Sequence, residues 1–142
     1  MGVMNRVDPR TVVENHEAVL DERGGWPSFH DAEVLELSLS RGEARPEDDI
    51  QIPPQITVRI EACALTEPFV ATFRFEGCES IAMSGFNHQN PIMDLKFGIE
   101  QRGFLRNGEP MTPFIVVEFE PCWEFRLSFR CFKASVVNVE RA

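Results

Sequence analysis

From Leu35 to the C-terminus the chain repeats with a period of two, and this limits its fold more than any other feature. Leu35, Leu37 and Leu39 alternate with Glu36, Ser38 and Ser40. Ile56, Val58, Ile60, Ala62 and Ala64 alternate with Thr57, Arg59, Glu61 and Cys63, and Phe69, Ala71, Phe73 and Phe75 with Val70, Thr72, Arg74 and Glu76. Successive side chains of a strand point to opposite faces, so each run has one apolar and one wet face. Met93, Leu95, Phe97 and Ile99 continue the pattern, as do Trp123, Phe125, Leu127, Phe129 and Cys131. Ile81 and Met83 carry a short strand, and Val136, Val137 and Val139 a last one. Phe114 to Phe119 is largely apolar and reads as a strand buried on both faces.

The connections are short. Thr66-Glu67-Pro68 marks one turn, Gly85 to Pro91 is a turn by composition, and Asn107-Gly108 favours a tight turn. Such links leave no room for helical crossovers, so the strands pair antiparallel. Amphipathic strands must each bury a face, which predicts a mostly β fold. The expected form is an antiparallel sandwich or strongly bent sheet of about eight strands. At 142 residues it forms a single domain, 1–142. Arg41 to Pro54, rich in proline and acid, reads as a mobile loop. One N-terminal helix is expected. Asp8 and Pro9 suit its first turn, Val12, Val13, Val19 and Leu20 recur at helical spacing, and Gly24-Gly25 stops it. His16 falls on its apolar side as a half-buried packing residue.

Charge and cysteine usage narrow the function classes. The formal net charge is −9, which argues against a nucleic-acid binder, with its basic stripe, and against an anionic membrane surface. It suits solubility or a basic protein partner. The 12 Phe and no Tyr describe a dry aromatic core. Cys63, Cys78, Cys122 and Cys131 form no C-x-x-C pair and read as inert core thiols. With three histidines, no metal or other cofactor is expected. Met1 to Arg6 leads into polar residues with no apolar targeting stretch, and no run of membrane-spanning length follows. A cytoplasmic protein with reduced thiols is expected.

The densest chemistry lies in Trp26-Pro27-Ser28-Phe29-His30-Asp31-Ala32-Glu33-Val34. If this stretch is extended, Asp31 and Glu33 share one face and His30 takes the other, so the three cannot form a compact metal set. Its bland role is a junction, with His30 and Asp31 bonded to backbone and Trp26 and Phe29 packed beneath. Asn87-His88-Gln89-Asn90 is a second candidate, either a pocket wall or a turn satisfied by its own side chains. His30, Asp31, Glu33, Asn87, His88 and Asn90 are therefore the ligand or partner candidates. Ser28-x-His30 lacks the glycines of a nucleophile elbow, and no phosphate-binding glycine loop is present. No catalytic residue is assigned and an enzyme is not expected. Two alternatives remain: a small-ligand-binding β domain with a pocket near His30, Asp31 and His88, or an enzyme using Asp31 or Glu33 as general base.

The run from Gly25 to Val34, with Phe73-x-Phe75-x-Gly77 and Gly85-Phe86-Asn87-His88-Gln89-Asn90, resembles the immunity protein 50 family of bacterial polymorphic-toxin systems. The similarity spans about Gly25 to Ile99 and is most specific in the tryptophan–valine stretch. It implies a mostly β cytoplasmic protein that binds and occludes a cognate toxin, a partner expected to be basic, and it carries over no catalytic residue. Under that reading the acidic residues Glu43, Glu47, Asp48 and Asp49 are the contact candidates, presented on a loop that steers encounter.

Overall fold

The computed structural model describes residues 4–45, 47, 50–62 and 68–141. In chain order the strands are β1 (Val13–Glu14), β2 (Glu33–Ser40), β3 (Glu43–Arg45), β4 (Ile50–Ile52), β5 (Gln55–Ala62), β6 (Phe69–Glu76), β7 (Glu79–Ser84), β8 (Ile92–Glu100), β9 (Phe114–Pro121), β10 (Arg126–Cys131) and β11 (Lys133–Arg141). They form a five-stranded sheet, β1-β11-β6-β5-β2, and a four-stranded sheet, β7-β10-β9-β8. A small β3–β4 hairpin stands apart. The mostly β expectation holds, with nine strands in the two sheets where about eight were expected.

The two sheets face each other across phenylalanine rings. Phe75 of the five-stranded sheet lies 4.9 Å from Phe129 and 6.5 Å from Phe119 of the other, ring centre to ring centre. The apolar faces of β5 and β6 read from the sequence are the faces that are buried: Ile56, Val58, Ile60, Phe73 and Phe75 are all fully covered. Their register is regular, from Ala62 opposite Phe69 to Gln55 opposite Glu76. Of the turn joining them, Thr66 and Glu67 lie outside the described residues, as do Cys63 and Ala64.

The N-terminal helix is not formed. Two 3-10 turns take its place, Pro9–Thr11 and His16–Ala18, with β1 between them. Asp8 does cap, but it caps one turn, accepting from the Arg10 N–H. β-Branched Thr11, Val12 and Val13 favour extended backbone, and Asn15 takes a left-handed conformation at φ 59° that breaks any helix. Val13 is buried by pairing opposite Ala134 of β11. That pairing is parallel, against the all-antiparallel expectation; the other ladders are antiparallel.

Three further expectations change. The acidic stretch from Arg41 is not irregular throughout, because Glu43 pairs with Ile52 in the β3–β4 hairpin. Trp123 does not share the core face of β10: the strand begins at Arg126, and Trp123 sits 60% exposed in the preceding turn. Met93 is displaced from the buried face of β8 by a bulge between Ile92 and Asp94, so Ile92 is buried in its stead.

One edge of the four-stranded sheet is covered by the N-terminal segment. Arg6 bridges Gly98, and the Val7 N–H donates to the Phe97 carbonyl at 3.0 Å. Gly98 permits this approach: a Cβ there would meet the Met4 side chain at 2.5 Å.

Candidate functional site

The two sequence candidates meet in space. Residues 30–34, entering β2, run beside residues 90–93, entering β8. The Asp31 N–H donates to the Ile92 carbonyl, the Ile92 N–H to the Ala32 carbonyl and the Val34 N–H to the Asn90 carbonyl, at 2.9–3.0 Å. This stitch joins one sheet to the other. Beneath it Phe29 is fully buried and half-buried Trp26 lies 5.7 Å from it. Trp26 also touches Phe73 and Phe97, one from each sheet, at 6.2 and 5.9 Å.

His30 and Asp31 ride on top of this junction. Asp31 is left-handed, φ 63°, so the stretch is a turn there and the face assignment for an extended strand does not hold. His30 Nδ1 lies 3.1 Å from the Met93 carbonyl. A carbonyl oxygen only accepts, so Nδ1 carries the hydrogen and Nε2 faces Asp31 Oδ2 at 3.5 Å. Both side chains are well exposed, 58% and 65%. Glu33 has left the turn and is half-buried at the start of β2. The carboxylates thus sit on different local backbones, and the ring is tied to a carbonyl.

Asn90 is the buried polar residue among those described, 2% exposed. Its Oδ1 accepts from the Asn87 N–H at 2.7 Å, and its Nδ2 donates to the Asn87 carbonyl at 2.7 Å and the Val34 carbonyl at 3.2 Å. Asn87 Oδ1 accepts from the Gln89 N–H, while its Nδ2 donates to the Gly85 carbonyl and to Glu124. The amides close the turn on itself. His88 is exposed at its tip. The strands carrying the two candidate groups lie side by side, and His30, Asn87 and Asn90 bond backbone there.

The thiols are chemically quiet where they are buried. Desolvation pushes the Cys78 thiol up to about 11 and raises that of Cys131 further. Cys122 departs from the core-thiol expectation, being exposed beside Trp123. Cys63 lies outside the described residues. Among the described residues no group of three or more His, Cys, Asp or Glu converges to hold a metal ion.

Of the acidic contact candidates, Glu43 and Glu47 are exposed, while Asp48 and Asp49 lie outside the described residues. The outer face of the four-stranded sheet carries a groove of about 810 Å³ whose walls include Asn5, Ser80, Glu100, Glu118 and Arg130. Its charges are paired within the sheet: Arg130 reaches Glu79 at 2.8 Å and Glu100 at 2.6 Å, and Glu118 lies 4.0 Å from Lys96. Neither this groove nor a smaller one of about 460 Å³, between β2 and Phe86, is lined by His30, Asp31, Asn87 or His88.

Sequence reasoning missed the exposed apolar residues. Phe104 is 75% exposed, Trp123 60%, Leu105 48% and Phe86 44%. One signal was available: Phe104-Leu105 sits outside any alternating run, immediately before the Asn107-Gly108 turn. No helix among the described residues is long and apolar enough to cross a membrane. No family model, curated protein or solved structure matches the chain.

Proposed function

We propose that this chain is a protein-binding module, a toxin-neutralising immunity protein that occludes a cognate bacterial toxin without a catalytic step. The observation that carries the reading is a division of labour. Three of the six ligand candidates, His30, Asn87 and Asn90, are bonded to backbone. Meanwhile a chain of net charge −9 holds large aromatic side chains out in water on turns. Exposed aromatic residues that the core does not need are typical anchors of protein interfaces. The resemblance of residues 25–99 to immunity proteins supports the same reading, as does an acidic surface suited to a basic toxin. Glu43, Glu47, Asp48 and Asp49 steer the encounter. The protein acts in the cytoplasm, where a toxin made in the same cell must be silenced.

The test is co-expression. Where a large protein is encoded immediately upstream, its C-terminal domain is produced in a susceptible bacterium with and without this chain. Rescue of growth together with a stable complex on gel filtration supports the reading. Rescue failure with no complex, alongside saturable binding of a small molecule lost in His30→Ala, overturns it in favour of a ligand-binding domain.

A further inference from the structure

Between β8 and β9 the chain leaves the sandwich as a short finger, residues 103–111. The Met111 N–H donates to the Gly103 carbonyl at 2.9 Å, the Leu105 N–H to the Glu109 carbonyl at 2.7 Å and the Gly108 N–H to the Leu105 carbonyl at 3.0 Å. Phe104 and Pro110 form an antiparallel bridge. Gly108 has φ 87°, the left-handed residue that completes a tight turn with a glycine bulge. Asn107 Oδ1 accepts from the Glu109 N–H at 3.0 Å and locks the apex.

The base of the finger is clamped. The Arg102 guanidinium lies 5.0 Å from the Phe114 ring and 4.8 Å from the Phe132 ring, and the two rings are 4.9 Å apart. Arg102 Nη1 also donates to the Thr112 carbonyl at 3.3 Å. Arg130 stacks on Phe114 as well, at 4.5 Å, and ties the clamp to the ion pairs of the sheet.

This held hairpin presents Phe104 and Leu105 to water. They are neighbours on extended backbone, so they project from opposite faces and form a wedge. Neither belongs to the core. Holding two large apolar groups out on an ordered support has no folding benefit. It does lower the entropy lost on binding, because the bound shape already exists.

Charge indicates what the wedge enters. The finger carries Arg106 against Glu109 and is neutral overall, with Arg106 exposed, on a chain of net charge −9. The partner that complements the charge of the chain and the apolar wedge is a basic protein with a recessed, apolar cleft. An anionic membrane would be repelled by the body.

We propose that the 103–111 finger is the docking anchor of this protein, with Phe104 and Leu105 entering a cleft of the toxin and Arg106 meeting a carboxylate at its rim. This rests on the immunity reading above and names the surface that performs it.

The test uses the full chain and the purified upstream C-terminal domain in a binding titration. Phe104→Ser/Leu105→Ser should weaken the complex by roughly 30-fold, the scale of losing an interface hot spot. Arg106→Glu should weaken it more than Arg106→Ala. All variants should keep the melting temperature of the parent, since these side chains are exposed. If the parent binds and the double serine variant binds within about twofold of it, the finger is not the anchor while the immunity reading stands. If the parent does not bind at all, both readings fall. Sedimentation of the parent with phosphatidylglycerol vesicles, or a parent dimer in the ultracentrifuge, either one abolished by the double serine change, would overturn the proposal in favour of a lipid surface or a second copy. A melting temperature lowered by several degrees would assign the finger to folding.

Discussion

The Asn90 amide donates to the Val34 carbonyl at 3.2 Å, across 56 residues of sequence. Through that bond the turn before β8 is fastened to the second residue of β2, and the two sheets are held at one corner. Without the amide, the buried Val34 carbonyl and both part-buried backbone groups of Asn87 would be left without this partner. Asn90→Ala should therefore destabilise the fold by about 2–4 kcal/mol, because stranded buried polar groups cost more than a simple bond deletion. Urea melts of the variant and parent measure this. A loss under about 0.5 kcal/mol, the range of ordinary surface changes, would show that water replaces the amide without penalty.

Phe29 is fully buried beneath the same corner, with Phe69 and Phe73 within 6.4 Å of its ring centre. Phe29→Ala should cost about 3–5 kcal/mol, the transfer loss plus the cavity left under a stitched backbone that cannot collapse. Trp26→Ala should cost less, since Trp26 is half-buried. The reverse order in denaturant melts would place the junction's anchor in the tryptophan.

Thiol reactivity should split by burial. In a Cys63→Ser background at pH 8, Ellman's reagent should titrate Cys122 at once and reach Cys78 and Cys131 only in denaturant. The same burial gives an alkaline pH dependence. The folded-state value for Cys78 is raised, from 9.0 to about 11, so its contribution to stability is fully present below pH 9 and is lost as pH rises from 9 through about 11, where the unfolded thiol ionises first. Replacing Cys78 and Cys131 by alanine should flatten that part of the stability curve.

The acidic segment should act on association rate. Replacing Glu47, Asp48 and Asp49 by serine should slow capture of the toxin more than it speeds release, because rim charges steer encounter. The difference should shrink at 1 M salt, where the Debye length is about 3 Å. Stopped-flow measurements at two ionic strengths distinguish this from a contact effect, which would survive salt.

Much of the architecture was legible because alternation is a local property. The runs at Ile56–Ala62 and Phe69–Phe75 state which side chains face inward before any partner strand is known, and both faces are buried as read. The same holds for the Asn107-Gly108 turn, whose glycine requirement belongs to its own backbone. The junction was legible as a cluster, since Trp26, Phe29, His30 and Asn90 are residue types that either pack or satisfy backbone.

What the tertiary structure alone decided depends on neighbours far along the chain. Residues 12–20 have helical apolar spacing, yet Val13 gains more by pairing with Ala134, and Asn15 turns left-handed with its amide on the Val136 carbonyl at 2.9 Å. Trp123 continues an alternating pattern, but the ladder between β9 and β10 stops short of it, from Leu127 opposite Phe119 to Cys131 opposite Ile115. His30 is a ligand candidate from the sequence, and only the fold places its Nδ1 on the carbonyl of bulged Met93, 63 residues away. Phe104 and Leu105 look like core residues by composition. They are exposed because their hairpin lies beyond the end of the sheet, where no second layer covers them. Hydrophobicity is written in the side chain, whereas burial is set by what packs over it, and only the folded chain supplies that.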